Sequence, residues 1–503
     1  MERKEIIRRL GKYFTLPELV CPHVYNKYSE SQIWSFFTTE ALETLLVLRE
    51  EIICKPFIIN NWKNGGSYSQ RGLRCNVCIL CKEKTMLEKP YLSAHCFDEK
   101  TEILTENGWT GIKDIENCKY VYSYNIQKEI IELSKINSVI KQHFEGEMVK
   151  ISSLNCDILV TDEHRMLVRS KCKKYKRKGG KIISTKGQEY FDSLKTDNDK
   201  WHIELANQLI NKRRKFLCAS ILKNKNENFD LDFAKICLAT IADGRFSLKK
   251  NSCNIRFRLK KERKCKELEN ILSILKWKYS VTKDKENVYN YCINSNDSKK
   301  VFNVIGKNKF IPFDFLNAPA NILKEMVKYY AFYDGCFDKR INCKCFSISS
   351  IIKNNIDILQ IMCVLSGMRA QIKYKPKRIY NIKGQTGIGK PYYVLSINLD
   401  KKETDIKESS ATLLNYSGDV WCVNNDNTTV IIRRNGKVSI QGNCLGRAFD
   451  ITVSGMEAEA ARKIIIDDSD KLPYPIRLED GVSWLHVDVM DLCNGKKVTL
   501  FNA

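Results

Sequence analysis

Apolar positions recur along the chain with two different periods, and the sequence changes character where the period changes. From Thr39 onward, Leu42, Leu45, Leu46, Ile52 and Ile53 recur at helical spacing behind Glu40 and Glu43, acidic residues that a helix dipole favours in its first turn, so a helix is expected to begin near Thr39. Pro56-Phe57-Ile58-Ile59 then reads as a strand and Gly65-Gly66-Ser67 as a loop. Short β-prone segments follow Cys96, including Met148-Val149-Lys150-Ile151 and Asp157-Ile158-Leu159-Val160. Beyond the basic run from Lys171 to Lys181, which reads as a solvated loop, the pattern turns helical. Leu231, Ala234, Ile236, Cys237, Leu238 and Ile241 lead into Ala242-Asp243-Gly244, and further on Met326, Val327, Tyr330, Ala331 and Phe332 lead into Tyr333-Asp334-Gly335. These are two copies of one design, an apolar helix ending in Asp-Gly. Near the end, Val420-Trp421-Cys422-Val423 precedes two β-prone runs around Asn435-Gly436, a dipeptide suited to a type I′ hairpin turn. A helix is expected from Glu457 to Ile465, then a strand with Trp484, His486 and Asp488 on one face and Leu485, Val487 and Val489 in the core.

Charge divides the chain in the same places. The 503 residues are enough for about three domains at roughly 100–200 residues each. Residues 1–95 carry 14 Lys+Arg against 10 Asp+Glu and residues 444–503 carry 7 against 10, whereas residues 96–443 carry 63 against 39. A neutral piece and a strongly basic piece therefore share one reading frame, and the basic piece suits a polyanion, because neutralising phosphates releases counterions. Met1-Glu2-Arg3-Lys4 is too charged for the apolar region of a signal peptide, and no run approaches the roughly 18 apolar residues of a membrane span. The chain is expected to be a soluble cytoplasmic precursor and a monomer. Twenty-one cysteines without an export signal argue against a disulfide scaffold. Cys75, Cys78 and Cys81 have metal-like spacing, but no fourth ligand is evident nearby.

The two composition changes coincide with reactive residues. Cys96-Phe97-Asp98-Glu99-Lys100-Thr101-Glu102-Ile103 resembles the first block of inteins, Thr161-Asp162-Glu163-His164 resembles their T-x-x-H block, and the hairpin that delivers Gly442-Asn443 to Cys444 resembles their last two blocks. The resemblance implies a horseshoe-like all-β splicing (Hint) fold. It also implies that Cys96 converts the His95–Cys96 amide into a thioester, with Thr161 and His164 polarising and protonating that amide. Cys444 would then take the acyl group, Asn443 would cyclise to release the insert, and an S-to-N shift would leave a His95–Cys444 peptide bond. Three positions depart from the pattern. Gly442 stands where most inteins have histidine, no histidine occurs between His202 and His486, and Cys422 falls where many inteins have aspartate.

Within the insert, the sequences around Asp243 and Asp334, with the Lys309-Phe310-Ile311-Pro312 string, resemble the LAGLIDADG homing endonucleases. That family implies paired helices, each delivering a carboxylate to a shared Mg2+ site, with double-stranded DNA as substrate. Asp243 and Asp334 are the expected ligands and catalytic groups, because metal-assisted phosphodiester hydrolysis takes hard oxygen donors.

Joining the flanks gives Ser93-Ala94-His95-Cys444-Leu445-Gly446-Arg447-Ala448-Phe449-Asp450, followed by Trp484-Leu485-His486-Val487-Asp488. The joined flanks resemble the zinc D-Ala-D-Ala carboxypeptidase and phage endolysin family, whose fold hedgehog-type domains share. The resemblance implies a peptidoglycan peptide as substrate and His95, Asp450 and His486 as Zn2+ ligands, with the fourth position open to water. Ser483 occupies the place where many relatives carry an acidic base, which leaves Asp480 or Glu479 for that role, and Arg71 or Arg74 for oxyanion stabilisation.

The expected architecture is multidomain: an α+β zinc peptidase host (1–95 and 444–503) split by an all-β splicing domain (96–195 and 406–443) that itself carries an α/β endonuclease domain (196–405). The competing reading is a non-splicing insert that only binds DNA, lodged in a non-catalytic zinc-containing wall-binding module.

Overall fold

The computed structural model describes residues 1–16, 29–35, 37–59, 96–162, 164–170, 176–178, 181–183, 200–223, 228–250, 252–337, 344–382, 385–443, 448–489 and 495–501. The helix expected near Thr39 spans Thr39–Val47, and Thr38 caps it by accepting the Ala41 N–H at 3.1 Å. Its last turn widens into a π-turn over Leu48–Ile52, closed by Ile53 N–H donating to Leu48 O at 2.9 Å, and both Ile52 and Ile53 are buried. Phe57–Ile59 follows and pairs antiparallel with Ala448–Val453, placing Phe57 opposite Val453 and Ile59 opposite Ile451.

That pairing joins the two ends of the chain. The sheet continues through Leu485–Asp488, Ile476–Glu479 and Val498–Phe501, so strands from both sides of residues 96–443 build one five-stranded layer. Its core runs from Ile6 to Phe57 and from Phe449 to Val489, and among the described residues it takes nothing from 96–443. Leu485, Val487 and Val489 point into it while His486 and Asp488 stay half-buried, the alternation the sequence predicts. The helix expected from Glu457 spans Ala458–Asp467; its Arg462 donates to Val482 O at 2.8 Å and Trp484 O at 3.0 Å, fixing the loop that leads into the His486 strand.

Between the flanks, Phe97–Asp98, Ser138–Ser152, Asp157–Thr161 and Ala411–Asn424 close a small barrel. The sequence predicts only short strands at 148–151 and 420–423. Both are parts of a long ribbon, registered from Ile151 opposite Ala411 to Ser138 opposite Asn424. The excess length lies in stretches such as Thr412–Asp419, mostly exposed, where ladder hydrogen bonds rather than burial hold the strand and no hydrophobic alternation marks it. The Asn435-Gly436 turn has positive φ at both residues, 49° and 75°, and joins Thr429–Arg434 to Lys437–Gly442 as the dipeptide predicts.

The two Asp-Gly stretches are helices, Leu231–Ala242 and Ala320–Asp334, which pack on each other. After the first come Gly244–Lys249, Ser252–Leu259, the helix Glu262–Ile274, Tyr279–Lys283 and Tyr289–Ile293. After the second come Gly335–Phe337, Cys345–Ser350, the helix Lys353–Leu365, Arg369–Lys375 and Tyr392–Asn398. In both sheets the spatial order of these four strands is first, second, fourth, third. The duplication seen in sequence as two Asp-Gly helices is therefore a duplication of a whole α-β-β-α-β-β unit. The second sheet runs on, through Gln371 opposite Lys437, into the hairpin that ends at Gly442, so Ile431, Val438 and Ile440 share a core with the paired helices. No helix among the described residues is long and apolar enough to cross a membrane.

A buried ion network ties Asp98 to Arg434, near the two ends of residues 96–443. Arg434 Nε and Nη2 donate to Asp98 at 2.9 Å and 3.0 Å, the same guanidinium pairs with Asp157, and Asp98 is 1% exposed. Removing one partner of such a pair strands an uncompensated charge, which costs about 3–5 kcal/mol. Arg434→Ala is expected to lower the stability of the insert by that amount, measured as a fall in urea midpoint, and Asp98→Asn, which keeps a hydrogen-bonding group, by less.

Candidate functional sites

Cys96 sits at the mouth of the barrel, fully buried, and is held by two bonds to one residue. Its N–H donates to Thr161 Oγ1 at 3.1 Å, and the Thr161 N–H donates to Cys96 O at 3.1 Å. The chain then turns sharply, with His164 N–H donating to Thr161 O at 3.0 Å, and the buried His164 ring packs 4.4 Å from Phe97. The turn is locked from outside by Ala206 N–H, which donates to His164 O at 2.8 Å. The three residues singled out in sequence at the upstream junction thus form one cluster.

Residues 441–443 meet the same turn. Arg165, next to His164 and 4% exposed, directs Nη1 at the main-chain oxygen of Asn443 at 3.4 Å, and the Leu167 N–H donates to Gln441 Oε1 at 3.1 Å. Asn443 is fully buried with its N–H on Thr428 O at 3.1 Å, and neither Nδ2 nor Oδ1 has a hydrogen-bond partner among the described residues. Cys96 and Asn443 lie 347 positions apart, yet Thr161 and Arg165, four positions apart, contact one each. A Cβ at Gly442 would lie 2.6 Å from Arg165 O and 2.7 Å from Arg165 Cβ, so this backbone has no room for a histidine there. Cys422 is buried in the barrel with Sγ donating to Val423 O at 3.5 Å. His95 and Cys444 lie outside the described residues.

A second site lies where the paired helices end. Asp243 caps the first and Asp334 is the last residue of the second. Each is followed by a glycine for the same steric reason. The strand leaves at once across the helix's own last turn, so that a Cβ at Gly244 would lie 2.8 Å from Thr240 Cα and one at Gly335 2.5 Å from Ala331 O. Lys264 ion-pairs with Asp243, and Lys309 Nζ donates to Ile241 O at 2.9 Å and Gly244 O at 3.0 Å. The Asp334 residue reaches the surface, but crowding by protein raises its carboxyl above the usual range; Asp243 adds in the same direction, against Lys264 and Lys309. Burial lowers Lys309, while both aspartates work to hold its charge. The two carboxylates therefore sense each other, and a divalent cation accepting hard oxygen donors would relieve their repulsion. Sequence reasoning missed Lys264 as a partner of Asp243, because nothing local on the helix Glu262–Ile274 signals which helix end it faces. Lys309 was visible only as part of its string. On the strands beside this site, Arg245, Arg256 and Arg258 are exposed while Ile255 and Phe257 face the core, and Arg245 stands opposite Arg256.

In the flank sheet, Asp450 and His486 stand directly opposite each other in register. The His486 ring packs edge-on against Phe501 at 5.8 Å, and Asp488 pairs with Arg477. Asp480 follows the strand Ile476–Glu479, donates its N–H to Phe501 O at 2.8 Å and accepts the Gly481 N–H at 2.9 Å, whereas Glu479 is buried. Asp480 is therefore the more accessible of the two candidate bases. Arg71, Arg74 and the Cys75, Cys78, Cys81 run lie outside the described residues. Among the described residues no three His, Cys, Asp or Glu side chains are grouped to hold a metal ion.

Known proteins resemble parts of this chain. No protein-family model matches it. The ribonucleoside-diphosphate reductase subunit beta of Aquifex aeolicus is 25% identical over 387 residues, covering 72% of this chain and 52% of the relative, so the chain spans about half that protein's length. The C-terminal section of the DNA-directed RNA polymerase subunit beta of Stigeoclonium helveticum is 29% identical over 76 residues, 15% of this chain and 7% of the relative. Among solved structures, the homing endonuclease I-DmoI in complex with DNA and Ca is similar over 34% of this chain and 84% of its own, with 16% identity and a TM-score of 0.24. The DUF199/WhiA protein of Thermotoga maritima is similar over 35% of this chain and 52% of its own, with 12% identity and a TM-score of 0.23.

Mg2+ at about 100 times its Kd is expected to stabilise the wild-type chain by about 2.7 kcal/mol, read as a rise in Tm, and to leave Asp243→Asn/Asp334→Asn unchanged. Only ionised carboxylates bind the cation, and the Asp334 carboxyl is raised. The rise in Tm should therefore shrink as pH falls into the range just above the ordinary aspartate value.

Proposed function

We propose that residues 96–443 are a self-splicing insert carrying a double-motif DNA endonuclease, and that their excision joins residues 1–95 to 444–503 as a zinc peptidase acting on peptidoglycan peptides. The observation that carries this reading is the turn Thr161–Arg165, which binds the first residue of the insert on one side and the last on the other. The partition of the cores supports it, since among the described residues the flanks share one sheet and a core that takes nothing from 96–443. The similarity to a reductase subunit adds to this. It covers 72% of the chain, more than the flanks could supply, so much of it falls within 96–443, as expected for an insert that occupies different hosts.

In this reading the Cys96 thiol attacks the His95 carbonyl, helped by Thr161 and protonation from His164, and forms a thioester. Cys444 accepts the acyl group by exchange, and Asn443 cyclisation releases the insert. An S-to-N shift then leaves a peptide bond between His95 and Cys444. In the insert, Asp243 and Asp334 would hold Mg2+, a cation that would supply Lewis-acid stabilisation of charge on the phosphodiester. Arg245, Arg256 and Arg258 would meet the DNA backbone. In the joined product, Asp450 and His486, neighbours in register, would hold Zn2+ together with His95, and the metal would supply an activated water. Asp480 would serve as the general base.

Excision changes the ligand spacing. His95 and Asp450 are separated by 355 positions in the precursor and by seven in the product. Mass spectrometry of the freshly expressed chain is expected to show a 155-residue joined product and a 348-residue insert, with Cys96→Ala/Asn443→Ala remaining at 503 residues. Zinc content and peptidase activity should belong to the joined product. Equal peptidase activity in the blocked precursor would refute the link between excision and the zinc site, and an intact wild-type chain would leave DNA binding and cleavage as the activities to test.

A further inference from the structure

The two duplicated units differ at one connection. In the first, Tyr279–Lys283 passes to Tyr289–Ile293 through a tight turn at 284–288, closed by Asp284 N–H donating to Val288 O at 3.0 Å. In the second, Arg369–Lys375 and Tyr392–Asn398 are joined by a separate two-stranded ribbon, Arg378–Ile382 antiparallel to Gln385–Gly389. We propose that this ribbon is a DNA-binding arm whose Ile379–Ile388 pair enters a base step of the duplex from the minor groove. The inference rests on the DNA-endonuclease reading above and adds a contact away from the carboxylate pair.

The ribbon prolongs the sheet without pairing to anything else. Lys375 faces Tyr392 and Arg378 faces Gly389, so the register is unchanged from sheet to ribbon. Between them the ladder lapses at Pro376 and Pro391, which have no N–H to donate. Beyond that point the ribbon pairs with no further strand among the described residues. Ile379 and Ile388 stand directly opposite each other and are 77% and 71% exposed. Opposed residues put their Cβ atoms about 4.5–5.5 Å apart, so the two side chains make one apolar prominence that the fold leaves in water.

The residues around the pair select the partner. Residues 373–390 include Lys373, Lys375, Lys377, Arg378, Lys383 and Lys390 and no Asp or Glu. Such a stretch suits a phosphate backbone, whose counterions it releases on binding. An apolar wedge amid cations is the arrangement that unstacks a base step from the minor groove and holds the kinked duplex. Arg378 and Tyr380 are opposed by Gly389 and Gly387, which carry no side chains and keep the ribbon thin. The counterpart turn in the first unit offers no such surface, because Asp284 and Glu286 stand there, paired with Arg258. The arm is therefore an addition to one unit, and it holds the duplex from one side.

The test uses the full chain with Cys96→Ala/Asn443→Ala, which stays at 503 residues, in the absence of divalent metal so that no strand is cut. The probe is a mixed-sequence duplex of about 30 base pairs with 2-aminopurine at its flexible TA steps, where fluorescence rises as a base unstacks. The parent chain is expected to bind and to raise the fluorescence. Ile379→Ser/Ile388→Ser should bind about 10–100-fold more weakly and lose the rise, with the salt dependence of binding unchanged. Lys373→Gln/Lys377→Gln/Lys390→Gln, at three exposed positions, should instead lower the slope of log K against log salt by about 2–3. Binding and unstacking by the isoleucine variant at the parent's level would overturn the proposal and leave the DNA reading standing. A loss of affinity with no fluorescence rise in the parent would also overturn it, since apolar contact alone would then explain the pair. Dimerisation of the parent that the isoleucine changes abolish, with DNA binding intact, would assign the pair to a second copy of the chain. A parent chain that binds no duplex would defeat the DNA reading itself.

Discussion

The approach of Cys96 and Asn443 to one turn depends on one buried guanidinium. Arg434 lies at the end of the strand Thr429–Arg434 and is clamped between Asp98 and Asp157, so the hairpin it begins is pinned against the barrel two residues from Cys96. From that anchor the chain turns at Asn435-Gly436 and runs back along Lys437–Gly442, which brings Asn443 against Arg165. Two charges taken out of water repay their desolvation only when the geometry is good, and here Asp98 is also met by Thr101 Oγ1 at 2.7 Å. The neighbouring Arg433 extends the same logic outward. It bonds to Glu102 at 2.6 Å and 2.7 Å and to Asp357 at 2.5 Å, tying the hairpin to the helix Lys353–Leu365.

Those bonds make the centre of the molecule less divisible than its motifs suggest. The second duplicated sheet continues into the hairpin, and Gln360 Nε2 donates to Gly436 O at 2.8 Å at its turn. A Cβ at Gly436 would lie 2.3 Å from Ile372 O, so turn and sheet are in direct contact. His202–Leu205, Arg214–Leu217 and Glu403–Ile406 likewise form one sheet with Arg165–Ser170, and through it the chain leaves the barrel region and re-enters it. The flanks are built differently, with a sheet and a core of their own. Interruption between Ile59 and Ala448 leaves that core intact because the strands on either side pair directly.

The carboxylate pair shows how the duplicated unit generates a site. The helices Leu231–Ala242 and Ala320–Asp334 pack on each other and end at Asp243 and Asp334, and the glycine after each aspartate lets the strand fold back at once. Burial raises the Asp334 carboxyl and Asp243 adds to it, while Lys264 pairs with Asp243 and Lys309 donates to the main-chain oxygens of Ile241 and Gly244.

Local signals in the sequence determined a good deal. Helical spacing and an acidic first turn set the helix at Thr39, Asn435-Gly436 set its hairpin, the alternation at 484–489 set the faces of the His486 strand, and the paired Asp-Gly endings set the two helices. Each is a short-range rule, legible because neighbouring residues satisfy it between themselves. Tertiary structure alone decided the rest. The ribbon over 138–152 and 411–424 is held by cross-strand bonds that leave no apolar period, and Lys264 meets Asp243 only after two helices pack. Gly442 is likewise fixed by docking, since a Cβ there would lie 2.6 Å from the main-chain oxygen of Arg165. Contacts between residues hundreds of positions apart depend on how elements dock, and no local pattern of side chains records that docking.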